Sequence, residues 1–260
     1  MEIEKLKKIS ESLIDPFFDI GNKAKKMSED GLKISIKIDN SPVTNGDIFV
    51  DNALRKNIQD ITPDIPIVSE ETVNLKKPNL HKNFWLIDPI DGTKQYMSKK
   101  DEYTLNASLI INSKPVIGII YAPAKKRMFV SYGKGCAFEI DDNKKKNVLN
   151  CKKKTNSNII LGISYTKNPS ENILNIFKKH KVTNFFKMSS SFKFCVIAAG
   201  EFDIYTCEPR AYEWDISAGH AIVTHAGGIF TTQDGNEVIY GKKNYKNPSL
   251  LVKRSNNLEI

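Results

Sequence analysis

At 260 residues the chain can bury a sizeable core, as one large domain or as two coupled halves. Its 40% hydrophobic and 27% charged residues are ordinary for a globular protein, and no run of about 18 apolar residues is present to cross a membrane. The net charge of +9 invites a nucleic-acid reading, yet only Arg55, Arg127, Arg210 and Arg254 among the 39 basic residues are arginine, the usual reader of phosphates and base edges. Lysines scatter along the chain apart from two short runs, so specific nucleic-acid binding is not expected. The positive field still suits a polyanionic small molecule.

Residues 2–27 place Ile3, Leu6, Ile9, Leu13, Phe17 and Ile20 near helical spacing, with a kink expected at Pro16. Lys33 to Ile38 alternates as a half-buried strand does, and Asp39 to Thr44 reads as a loop. Asp47 opens a second amphipathic helix through Val50, Leu54, Ile58 and Ile61. Asp64 to Val68 is a short strand delivering Ser69-Glu70-Glu71. A loop over 74–83 leads into the strand Phe84 to Ile87, expected to end at Asp88. Strands at Tyr103–Ile111, Val116–Tyr121, Arg127–Tyr132 and Cys136–Ile140 form a meander. The Lys- and Asn-rich segment 141–158 suggests a boundary, dividing the chain into halves 1–145 and 146–260. A strand Ile159–Tyr165 follows. Asn168-Pro169-Ser170-Glu171 resembles a capping box with Pro at the first helical position, opening a helix to His180. Next come a strand Val182–Met188, a helix Phe192–Ala199 capped by Ser189-Ser-Ser191 and stopped by Gly200, and a strand Phe202–Thr206. A helix Trp214–Ala226 and strands Ile229–Thr232 and Ser249–Val252 finish the chain. The order is mixed: α/β, then a β meander, then α/β again.

Within that order, Trp85-Leu-Ile-Asp88-Pro-Ile-Asp91-Gly-Thr93 stands out. Two carboxylates on one tight turn repel each other unless something positive lies between them, and Mg²⁺ is the usual solution. N–H groups from Gly92 onward would face a phosphate oxygen. The plainer alternative is a strand, an acidic turn and a capped helix. Asp47, Glu70, Asp88, Asp91 and Asp215 all sit at element boundaries, where side chains can reach a common cleft. Asp47 and Asp215 read equally well as N-caps, and Glu70 and Glu71 as a solvated edge. Together the five fit a two-metal phosphatase. His220 and His225 are five apart and do not face one direction. The spacings of a nucleophile elbow and a P-loop are absent, and Gly133-Lys-Gly135 is a hairpin turn. Cys136, Cys151, Cys195 and Cys207 form no CxxC pair and are expected as free thiols. The N-terminus lacks the apolar core of a signal peptide, so a cytoplasmic location is expected, with peripheral association at the inner membrane left open.

The DPIDGT turn, with Ser69-Glu70-Glu71 upstream and Trp214-Asp215-Ile-Ser-Ala-Gly219 downstream, resembles the inositol monophosphatase superfamily over nearly the whole chain. The resemblance implies a layered αβαβα sandwich and an Mg²⁺-dependent, lithium-sensitive phosphatase. Asp39–Thr44, Asp101–Asn106, Lys114–Pro123 and Ser189–Cys195 are similar to the bacterial 3′(2′),5′-bisphosphate nucleotidases within that superfamily. These release the 3′-phosphate of adenosine 3′,5′-bisphosphate, a by-product of sulfate assimilation. By this resemblance Glu70, Asp88, the carbonyl of Ile90 and Thr93 surround one Mg²⁺. Asp88, Asp91 and Asp215 hold a second, and a third, weaker ion sits near Glu70. Glu70 and Thr93, helped by Asp47, orient the attacking water. Gly92 and Thr93 N–H groups hold the scissile phosphate, and Ser190 and Lys193 grip the 5′-phosphate. Such nucleotidases carry Arg where this chain has Cys207, and Arg210 stands in reserve. Glu208, seven residues before Asp215, matches a Glu that binds hydroxyls in inositol monophosphatases. That keeps inositol 1-phosphate or a related sugar phosphate as an alternative substrate. A non-catalytic nucleotide- or RNA-binding protein is the remote alternative. A monomer or a homodimer is expected.

Overall fold

The computed structural model describes residues 1–37, 40–75, 81–153 and 159–258. The chain opens with α1 (Ile3–Ser12), α2 (Ile14–Asp30), the hairpin β1 (Ile34–Ile36) and β2 (Pro42–Thr44), and α3 (Asn45–Ile61). Next come β3 (Ile67–Ser69), β4 (Asn83–Asp91), α4 (Thr93–Met97), β5 (Thr104–Ile111), β6 (Lys114–Ala122), β7 (Arg127–Ser131), β8 (Ala137–Asp141) and β9 (Lys146–Val148). The C-terminal part holds β10 (Leu161–Ser164), α5 (Glu171–Lys179), β11 (Asn184–Lys187), α6 (Phe192–Ala198), β12 (Ile204–Cys207), α7 (Glu213–His225), β13 (Ile229–Thr232) and β14 (Leu250–Lys253).

Seven strands form one sheet in chain order from β3 to β9, and five form a second in the order β11-β10-β12-β14-β13. β3 is parallel to β4, and β10 is parallel to β11 and β12. The run Phe84–Ile87 is apolar throughout because β4 is covered on both faces. Trp85 and Ile87 pack with Leu6, Phe17 and Leu54 of α1, α2 and α3. Phe84 and Leu86 face the middle layer, where Phe194 of α6 and Ile222 of α7 meet Tyr205 and Val252 of the second sheet. α5 closes the far face through Ile173 and Phe177 against Ile204. The five layers are therefore αβαβα. One core spans both sheets and the helices between them. No helix among the described residues is long and apolar enough to cross a membrane.

Several local expectations shift. The first helix breaks at Leu13, ahead of Pro16, which falls in the first turn of α2 where its missing N–H costs nothing. β1 is exposed rather than half-buried, Ile36 by 65%, because the hairpin joins neither large sheet. Lys146–Val148 pairs with β8, so the first sheet continues one strand past residue 145. Ser170 takes the N-cap position of α5 without a capping bond, and Pro169 lies before it. Ile38, Asp39, and the parts of the loop and boundary segments at 76–80 and 154–158 lie outside the described residues.

Candidate active site

β4 continues past Asp88 to Asp91, where the sequence reading ended it at Asp88. Asp88 faces Asn106, the next paired residue is Asp91 facing Thr104, and the register slips between them. That bulge carries Pro89 and Ile90 past the missing ladder donor. Gly92 then takes φ +97, and a Cβ there would meet the Glu102 carbonyl at 2.8 Å, so glycine alone lets the chain turn into α4.

Glu70 follows β3, and Asp215 is the third residue of α7. One carboxylate oxygen from each of Glu70, Asp88 and Asp215 lies within 4.8 Å of the others. Asp88 is 1% exposed, and its Oδ1 has no hydrogen-bond partner among the described residues. Burial, then the charges of Glu70, Asp91 and Asp215, hold its carboxyl far above the usual range. Burial and Asp91 push Asp215 up to about 8. Acids pressed together out of water call for positive charge. All-oxygen donors, an orphaned buried oxygen and the Ile90 carbonyl, 3.1 Å from Thr93 Oγ1, fit a hard divalent cation.

Asp47 and Asp215 are not N-caps. Each sits at the third helical position and accepts from the N–H of the cap residue, Thr44 or Tyr212, at 2.8 Å. This geometry locks Asp47, whose Oδ1 accepts from Thr93 Oγ1 at 3.1 Å. Gly46 beside it is required: a Cβ would run into the hydroxyl of Tyr96, which donates to the Ala24 carbonyl at 2.6 Å.

Sequence reasoning missed three contributors. Ser191 donates to Asp91 from both its N–H and its Oγ, rather than capping α6. Lys37 bonds Glu70 at 3.2 Å and Glu71 at 2.9 Å, so Glu71 is no solvated edge. Burial, first of all, raises the Glu71 pKa to about 7. Lys187, at the end of β11, lines the cleft. Glu70, Tyr165, Thr166, Lys187 and Ser189 all lie at or just past the C-terminal ends of parallel strands, where open α/β sheets place ligands, and that signal was readable.

The cleft holds about 410 Å³. Glu70, Asp91, Gly92, Thr93 and Lys94 line it from the first half of the chain; Tyr165, Thr166, Lys187, Ser189 and Arg210 line it from the second. Ser190 and Lys193 are not in that lining. Both are buried, and the Lys193 ammonium donates to the Ser190 carbonyl at 2.9 Å above the rings of Phe194 and Tyr205. Glu208 is not in that lining either; it lies in an adjoining cleft and accepts from Ser170 Oγ at 2.7 Å.

A fold of this layering, with an acidic cluster at the end of β4 opposite a basic wall, is that of a known phosphatase class. The inositol monophosphatase family model matches residues 5–259, and the chain belongs to that family. The 3′(2′),5′-bisphosphate nucleotidase CysQ of Buchnera aphidicola (subsp. Acyrthosiphon pisum) is 36% identical over 82% of this chain and 79% of its own length. The protein of the same name from Salmonella typhimurium is 32% identical over 83% and 87%. The crystal structure of CysQ from Bacteroides thetaiotaomicron superposes with a TM-score of 0.74 at 26% identity, covering 94% of this chain and 96% of that one.

Proposed function

We propose that this protein is a divalent-metal-dependent phosphatase that removes the 3′-phosphate of adenosine 3′,5′-bisphosphate, leaving AMP and phosphate. Its sulfated precursor is a second substrate of the same shape. One observation carries this reading. The cleft that carries the acidic cluster is also lined by three cations, Lys94, Lys187 and Arg210, none of which has a carboxylate partner among the described residues. A substrate with a phosphate at each end complements both sets of charges. The nucleotidase names of relatives at 36% and 32% identity support it.

Glu70, Asp88, Asp91, Asp215 and the Ile90 carbonyl would hold two Mg²⁺ ions, with a third, weaker one near Glu70. Ions there would neutralise charge on the phosphoryl and departing oxygens. Thr93 Oγ1 donates a hydrogen bond to Asp47 Oδ1 at 3.1 Å, which leaves its oxygen a lone pair to accept a hydrogen bond from the attacking water; as that water attacks, its proton passes to Thr93 Oγ1 while the Thr93 proton passes to the Asp47 carboxylate. Glu70 orients the same water, and N–H groups of Gly92 and Thr93 hold the phosphoryl oxygens. At the other end Arg210 and Lys187 take the 5′-phosphate. Ser190 and Lys193 act from behind that wall, with the buried ammonium adding to its field. Purified protein with Mg²⁺ should give a kcat/KM for adenosine 3′,5′-bisphosphate at least roughly tenfold above that for inositol 1-phosphate, the scale of one charge-assisted contact. Equal or better turnover of inositol 1-phosphate rejects the assignment.

A further inference from the structure

Arg210 lies flat on Tyr165, with its guanidinium carbon 3.5 Å from the ring centroid. Tyr165 follows the last residue of β10 and is 41% exposed. The pair belongs to two cavities at once. With Thr166 it lines both the acidic cleft and the neighbouring one of about 420 Å³ that holds Ser170, Cys207 and Glu208. Both ends of the arginine are fixed. Pro209 restricts the backbone just before it, and Glu208 is tied to Ser170 at 2.7 Å. Its head rests on the ring. A guanidinium over a ring keeps its in-plane N–H groups for oxygen partners; the Tyr205 hydroxyl takes part of the Arg210 fork, and the remaining N–H groups match phosphate oxygens. Held on a flexible side chain without the ring, the same group would lose more entropy on binding.

We propose that Tyr165 is the positioning residue that sets Arg210 for the second phosphate. The stacked pair thereby gives this cleft its preference for bisphosphorylated over monophosphorylated nucleotides. The inference rests on the phosphatase reading above and goes further by assigning selectivity to an aromatic side chain outside the acidic cluster. The ring acts through its face, so its hydroxyl is dispensable.

The test compares Tyr165→Ala, Tyr165→Phe and Arg210→Ala with the parent on adenosine 3′,5′-bisphosphate and on adenosine 3′-monophosphate. Binding of AMP, which carries only the second phosphate, is measured by calorimetry. Tyr165→Ala should raise KM for the bisphosphate roughly three- to fivefold, the scale of an exposed cation–π contact, while kcat and the monophosphate KM stay within about 1.5-fold. AMP binding should weaken by a similar factor. Tyr165→Phe should restore both values. Tyr165→Ala combined with Arg210→Ala should be little worse than Arg210→Ala alone, since the ring acts through the arginine. Equal losses on both substrates, failure of the Phe variant to rescue, or additive effects in the double variant overturn the proposal while leaving the phosphatase reading intact. A parent enzyme with no preference for the bisphosphate over the monophosphate overturns that reading itself.

Discussion

Asp88 concentrates the electrostatics of the site. It is buried against three other carboxylates, and one of its oxygens is unpartnered. Asp88→Asn should lower turnover roughly a thousandfold or more, since a carboxylate shared by both ion positions is lost. The metal-free variant should also melt higher than the metal-free parent, because the amide is buried among the acids without the proton uptake that the raised Asp88 carboxyl requires on folding. The rise in Tm on adding Mg²⁺ should shrink correspondingly. Thermal melts with and without Mg²⁺ check both points, and a metal-free variant melting below the parent would contradict the electrostatic account. Ser191→Ala removes one of the two donors on Asp91 and should weaken Mg²⁺ binding about 10–100-fold with little change in fold, as loss of a supporting hydrogen bond does at metal sites. Mg²⁺ titration of turnover measures it; an unchanged half-saturating concentration would show that Asp91 needs no such support. Which residues carry charge at these positions was legible in the sequence. That Ser191 reaches across to Asp91 was not, because the two are 100 residues apart and no local pattern links them.

Helices α6 and α7 decide how the acidic wall stands relative to the basic one. Two glycines let α7 pack closely against its neighbours. Gly219 is covered by the Phe194 ring of α6, and Gly118 of β6 lies under the Ala218 carbonyl and the Ala221 methyl of α7. A Cβ at either position would overlap its neighbour. Gly219→Ala should therefore cost about 1–3 kcal/mol in urea unfolding, with the ring of Phe194 forced aside. It should lower activity too, since α7 carries Asp215. A variant as stable as the parent would mean that α6 yields freely. Helix and strand types were readable because apolar spacing and breakers act within a turn or two. Caps were misjudged. Thr44 and Tyr212 occupy the cap positions, while the carboxylates three residues on reach back to them.

The whole molecule also carries a pH dependence separate from the site. His220 is buried, stacked on Phe230 at 4.3 Å, with Nδ1 2.9 Å from the Tyr240 hydroxyl. Burial first, then His225, Lys114 and Lys242, lowers its pKa to about 3. The folded protein therefore keeps His220 neutral, whereas the unfolded chain protonates it near its ordinary value of about 6.5. Its contribution is fully present above that value and is lost as pH falls toward 3. Between pH 7 and pH 5 this amounts to about 2 kcal/mol. Site carboxylates with raised pKa values work in the opposite sense, so the comparison must be with His220→Gln. Chemical denaturation at both pH values should show a loss smaller by about that amount in the variant. Parallel pH profiles would mean that His220 does not stay neutral. The sequence by itself determined the element types, the mixed α/β order and the marked chemistry of the DPIDGT turn, because these follow from neighbours a few residues away. Tertiary structure alone decided where Glu70, Asp88 and Asp215 meet, that Lys193 is buried while Lys187 lines the cleft, that Glu208 turns to Ser170, and that Arg210 rests on Tyr165. Each of these depends on which strand pairs with which and how the five layers stack, and that packing joins residues from distant parts of the chain which no local pattern relates.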